Sequence, residues 1–127
     1  DFNRLLAFVK KTRFNNVGVF KYSKETGAPA AGFPGQVPGD VKEERAQALI
    51  SAQSRIVDVL NAELKGKRLE VLLDSPVFGR TYMDAPEIDG RVKVAAQGGT
   101  TPKAGNFVKV KLTEASGYLR NGRRLAY

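Results

Sequence analysis

Residues 106–115 read NFVKVKLTEA, and Val108, Val110 and Leu112 alternate there with Lys109, Lys111 and Thr113. A period of two sets apolar side chains on one face of a strand and polar ones on the other. Working outward, RVKVAA at 91–96 repeats the pattern with Val92 and Val94 against Arg91 and Lys93, and RLEVLLD at 68–74 repeats it with Leu69, Val71 and Leu73. FGRTYM at 78–83 supplies a fourth strand and YLRNGRRLAY at 118–127 a fifth. Five short strands within roughly 60 residues, separated by Gly and Pro, predict a small antiparallel OB-like barrel.

Upstream the period changes. Leu49, Ile50, Gln53, Ile56, Val57, Leu60 and Leu64 recur at three- and four-residue spacing, which predicts a helix of about 25 residues. Asp40 stands where a carboxylate caps free amides, Glu43 and Glu44 favour the positive end, and Lys65-Gly66-Lys67 supplies a stop. Before it, SKETGAPAAGFPGQVPGD at 23–40 carries three prolines and four glycines and reads as a loop. At the start, Phe2, Leu5, Leu6, Phe8 and Val9 mark a short helix, and Val17, Val19 and Phe20 mark a strand over 16–22. One strand is not a sheet, so this αβ unit needs a partner elsewhere. The class is α+β.

Composition narrows the chemistry. The 127 residues include no Cys and no His, which excludes a disulfide, a thiol nucleophile and soft-metal ligation. No apolar run approaches the roughly 20 residues that a membrane span requires. The absence of Cys fits a cytoplasmic location. The chain opens at Asp1 within an amphipathic pattern and its single methionine is Met83, so a fragment of a longer protein is the expectation. Net charge is +8, with ten basic and seven acidic residues in 1–65 and eleven and six in 66–127. A field of that sign attracts phosphates or acidic surfaces, and it also serves solubility.

Against this background GRTYMDAPEIDG at 79–90 sets Asp84, Glu87 and Asp89 within six residues. Three carboxylates could ligate a hard cation, but the alternating ligands and mid-loop Gly of a calcium loop are missing. No nucleophile with a partner base exists to complete an acid/base site. As a turn, DAP starts the chain reversal because the residue before proline avoids the helical region, and IDG ends it, with Asp84 and Asp89 bonding local amides. That geometry leaves room for a surface role.

GRTYMDAPEIDGRVKV with AGNFVKVKLTEASGY resembles the C-terminal TRAM domain of the ribosomal-protein methylthiotransferases, the RimO family of radical-SAM enzymes. RFNNVGVFKYSKETGAPAA is similar to the end of that family's radical-SAM barrel, and QVPGDVKEERAQALISAQSRIV to the joining helix. The resemblance covers residues 2–118 and divides the chain into 1–39, the end of the barrel and a loop; 40–66, the connecting helix; and 67–127, the TRAM domain. It implies a parent transferase that adds a methylthio group to the β-carbon of an aspartate in a small-subunit ribosomal protein, using two 4Fe-4S clusters and S-adenosylmethionine. The cluster cysteines of that family lie upstream, so this chain is expected to be inactive alone and to hold no cofactor or metal itself. The remainder of the barrel is then a partner. Asp84, Glu87 and Asp89, with Arg80 and Tyr82 beside them, become the expected docking residues for the basic substrate, and Tyr22, Ser23 and Glu25 fall near the barrel mouth.

One departure stands out. A basic substrate calls for an acidic surface, yet the TRAM half is itself basic. Lys93, Lys109 and Lys111 on polar strand faces, with Tyr82 and Phe107 as stacking groups, suit rRNA, tRNA or another acidic partner; Arg120, Arg123 and Arg124 lie near the end, but the last ten residues depart from the family ending and no RNA contact is assigned there. Solvated lysines and a core Phe107 are the ordinary alternatives. The second functional reading is therefore an RNA-binding module, either of a tRNA methylthiotransferase or standing alone.

Overall fold

The computed structural model describes residues 1–95 and 101–125. They form two compact units, 1–54 and 55–127.

In the first unit α1, Phe2–Thr12, ends at Arg13, which takes a left-handed conformation (φ 55°) and donates its N–H to Val9 O at 3.1 Å. The second helix, α2, runs Gly39–Leu64 and continues past the unit boundary. Asp40 was expected as its cap. The helix instead begins at Gly39, Pro38 O accepts the Lys42 N–H at 3.0 Å, and Asp40 sits in the first turn with its carboxylate on Val41 N at 2.9 Å. Gln53 is buried, and its Nε2 donates to Phe14 O at 2.8 Å, a backbone acceptor the helix stripe alone does not reveal. The strand expected over 16–22 does not form. A strand needs a ladder partner for its amides and carbonyls, and no described segment supplies one; Phe20 stays 93% exposed.

The second unit carries five strands: β1 Arg68–Leu73, β2 Phe78–Arg80, β3 Arg91–Ala95, β4 Phe107–Ser116 and β5 Leu119–Arg124. The ends expected at residue 96 and at 126–127 lie outside the described residues. The strands close into a barrel in the order β1-β2-β3-β5-β4. Val71, Leu73, Val92, Val94, Val108, Val110 and Leu112 fill it, with Leu64 and Leu69 packed against them. These are the inward halves of the alternations, so the apolar period has become the core. Gly66, at φ +81°, ends the helix and donates to Leu112 O at 2.8 Å, while Lys67 O accepts Leu112 N–H at 2.9 Å, which leads the chain directly into the sheet.

The expectation of a wholly antiparallel barrel needs correction at one seam: β3 pairs with β5 in parallel. The reason is parity. Strands that alternate direction around a closed ring must be even in number, so a ring of five requires one parallel pair. The long β4 pairs along one edge with β1 over 107–111 and along the other with β5 over 110–116, with a register irregularity between Leu112 and Glu114. β5 contributes no apolar inward residue. Its buried positions are Arg120 and Gly122, and a Cβ at residue 122 would fall 2.2 Å from Val110 Cγ1.

Candidate docking site

The loop joining β2 to β3 contains the three carboxylates, and the fold separates their roles. Asp84 is not a surface acid. Its side chain is 0% exposed, and it accepts from Thr81 N (3.0 Å), Thr81 Oγ1 (2.7 Å) and Arg120 Nη1, which lies 2.8 and 3.0 Å from its two oxygens. With its carboxylate buried and bonded within the barrel, Asp84 lies apart from the surface acids of the expected docking set, and it bonds the local Thr81 amide as a turn residue does. Arg120 supplies the physical reason: a cation on the inward side of β5, with 3% of its side chain exposed, requires a buried counter-ion. This ion pair ties the loop to β5, and Arg91 N donating to Tyr118 O at 3.0 Å adds a second tie. Gly90 permits that approach, since a Cβ there would lie 2.3 Å from Tyr118 O.

Asp89 closes the tip. Its Oδ2 accepts from Ala85 N at 2.8 Å while its own N–H donates to Ala85 O at 3.3 Å. Between these bonds Pro86 fixes one φ and Glu87 takes φ 61°, a conformation that costs a non-glycine residue about 1–2 kcal/mol. Glu87 is exposed at the apex.

A groove of about 560 Å³ runs beside this tip. Glu87, Asp89 and Asp74 bring carboxylates to it, and Arg80 and Arg91 bring guanidinium groups. Arg80 pairs with Asp74, and Arg91 lies 4.4 Å above the Phe78 ring. Of the expected docking set, Arg80, Glu87 and Asp89 come together at the groove. Tyr82 is 84% exposed but does not line it. Asp74 and Arg91 were missed because each reads locally as an ordinary polar position of its strand.

The basic candidates lie elsewhere in the barrel. Lys93, Lys109 and Lys111 are exposed on outward strand positions, and Phe107, with 59% exposure, is surface rather than core. Arg120 leaves the list of surface cations because it is buried. In the first unit Tyr22 lines an apolar groove of about 440 Å³ with Phe20, Phe33, Val37 and Leu49; Ser23 and Glu25 do not line it. Lys42 Nζ donates to Tyr22 O at 2.8 Å and stands 5.2 Å from its ring.

Residues 66–120 match the family profile of the TRAM domain. Over 123 residues, 97% of this chain, the sequence is 52% identical to the ribosomal protein uS12 methylthiotransferase RimO of Elusimicrobium minutum. The chain belongs to the RimO family. The RimO of Moorella thermoacetica is 46% identical over 90% of the chain, and that of Carboxydothermus hydrogenoformans 42% identical over 90%. This chain spans about a quarter of the length of these RimO relatives, 28%, 26% and 27% respectively. The TRAM match takes in β1 through β4 and reaches Arg120, so it contains both halves of the buried ion pair.

RimO proteins are transferases, and the resemblance assigns them iron-sulfur clusters. The residues of this chain do not fit such a group. It has neither Cys nor His, and the described residues hold no group of three acidic side chains placed to bind a metal. No described helix is long and apolar enough to cross a membrane.

Proposed function

We propose that this chain is the substrate-recognition end of a cytoplasmic methylthiotransferase acting on an aspartate β-carbon of ribosomal protein uS12. In that reading, residues 1–39 belong to the end of the catalytic barrel, 40–66 form the connecting helix, and 67–127 are the docking domain. Iron-sulfur clusters and S-adenosylmethionine supply the sulfur and radical chemistry from parts of the enzyme outside this chain.

One observation carries the docking role. The loop is held at its base by Asp84–Arg120 and at its tip by Asp89, so Glu87 projects at a strained φ beside a groove that also offers Asp74 and Asp89. A preorganised acidic projection loses little entropy on meeting a Lys or Arg of a basic protein. Strain retained at an exposed residue fits a binding role better than a purely structural turn, which Gly or Asn would make at lower cost.

The test is a titration of the chain with purified uS12, comparing wild type with Glu87→Gln and with Glu87→Gln/Asp74→Asn. Loss of roughly tenfold or more in the double variant, with unchanged thermal stability, supports docking through the groove. Unchanged affinity would remove the idea.

A further inference from the structure

The hairpin that joins β4 to β5 receives two other parts of its unit on adjacent carbonyls. Asn61 of α2 donates its Nδ2 to Gly117 O at 2.7 Å, and Arg91, where the acidic loop enters β3, donates its N–H to Tyr118 O at 3.0 Å. One turn of chain therefore holds both the connecting helix and the base of the acidic loop.

Asn61 is 4% exposed and stands in the apolar stripe of the helix, four residues after the buried Val57 and three before Leu64, which packs on the barrel core. A buried amide is costly unless it is bonded. Apolar contacts such as those of Val57 and Leu64 are non-directional and tolerate more than one register. The Asn61 bond does not, because a slip of one residue turns the side chain by about 100° and carries it away from Gly117 O. A single polar residue in an apolar helix seam fixes register in the same way in coiled coils, at a cost in stability.

Direction is fixed as well. Gly66 N bonded to Leu112 O pins the end of the helix to the barrel, and Asn61 pins a second point about 7 Å back along the axis at 1.5 Å per residue. Two points define a line. From residue 61 the helix extends back to Gly39, about 33 Å, so a pivot of about 10° at the hairpin would move its far end by roughly 6 Å.

We propose that Asn61 is a positioning residue, the latch that sets the register and direction of the connecting helix on the barrel and hence the direction in which the acidic loop is presented to substrate, which rests on the docking role proposed for that loop. Asn61 acts through the hairpin and touches no substrate. A misplacement of about 1 Å near the chemistry can cost about a hundredfold in rate, so a latch at this distance has leverage.

The experiment measures NMR residual dipolar couplings for the amides of residues 55–64 and of the five strands in wild type, Asn61→Leu and Asn61→Asp, with melting temperatures and uS12 titrations alongside. In wild type one alignment tensor should fit both sets. Asn61→Leu extends the apolar stripe, so its melting temperature should stay within about 4 °C of wild type while the helix couplings depart from the barrel tensor. Asn61→Asp lacks the donor when ionised and regains it when protonated, so its helix couplings should depart at neutral pH and return on acidification. In both variants uS12 affinity for the chain should stay within about twofold, because the bonds that hold the loop are untouched. The full-length methylthiotransferase carrying Asn61→Leu should lose at least about tenfold in kcat on uS12 with KM unchanged. Helix couplings that still fit the barrel tensor in Asn61→Leu overturn the proposal, since apolar packing alone then fixes the helix. So does an orientation lost only together with the melting temperature, which would make Asn61 a stabilising contact and nothing more. A displaced helix with unchanged kcat overturns the link to substrate and leaves the docking role standing, whereas failure of wild type to bind uS12 overturns both.

Discussion

Arg120→Met tests the element on which the loop depends. The substitution keeps an unbranched side chain on β5 and removes the charge, leaving Asp84 with its two Thr81 donors in a site where its side chain has no solvent exposure. Breaking a buried pair from one side costs about 3–5 kcal/mol, since the surviving ion keeps its desolvation penalty without its partner. Asp84→Ala should cost a similar amount. Arg120 Nε is already buried without a partner, so the orphaned guanidinium would have no acceptor left among those it now uses. The double variant removes both charges and should be no worse than either single one, a coupling of at least about 3 kcal/mol. For a unit of this size each kcal/mol moves Tm by roughly 4–8 °C, so each single variant should lose about 12 °C or more. Urea unfolding followed through the amide signals of Val71, Val92 and Val110 reads the barrel separately from the first unit. Single costs under about 1 kcal/mol that simply add would refute the reasoning, because a solvent-screened pair behaves that way.

Three further outcomes follow from the geometry. Glu87→Gly should raise stability by about 0.5 kcal/mol, the relief of a left-handed φ less the added chain entropy, and should weaken uS12 binding; a destabilisation seen by urea unfolding would contradict the strain. Gly122→Ala should destabilise the barrel by about 1–3 kcal/mol because its methyl overlaps Val110 Cγ1, and Val110→Ala in the same chain should recover part of the loss; a neutral Gly122→Ala would show that the seam has slack. Lys21 holds the Glu43 carboxyl below its usual range by hydrogen bonding, helped by Gln47 and by Lys21's charge. That contribution is present above the ordinary carboxyl range and is lost as pH falls through the lowered midpoint. Carboxyl NMR titration should show the midpoint rising in Lys21→Met, and no movement would place the cause elsewhere.

Much of the barrel was legible in the sequence because alternation is local. Leu69, Val71 and Leu73, Val92 and Val94, and Val108 through Leu112 each declare an inward face within a few residues, and the core uses those same side chains. The long helix and the turn around DAPEIDG were legible for the same reason, since spacing, Pro and Gly act on their immediate neighbours. Alternation failed at β5, where the inward residues are Arg120 and Gly122, and Asn121-Gly122, an ordinary hairpin-turn pair, lies inside the strand. It also failed over 16–22, where the pattern is a strand's and no ladder exists.

A periodic pattern fixes which face a residue occupies but carries no information about which strand lies beside it. The sequence by itself therefore determined the barrel strands, the helices and a compact acidic turn. Only the closed tertiary structure decided that the fifth strand runs parallel to the third, that Asp84 is spent on Arg120 36 residues away, and that Glu87 is left at the surface. Each of these outcomes depends on register across the ring, and register is set by the simultaneous packing of all five strands rather than by any one of them.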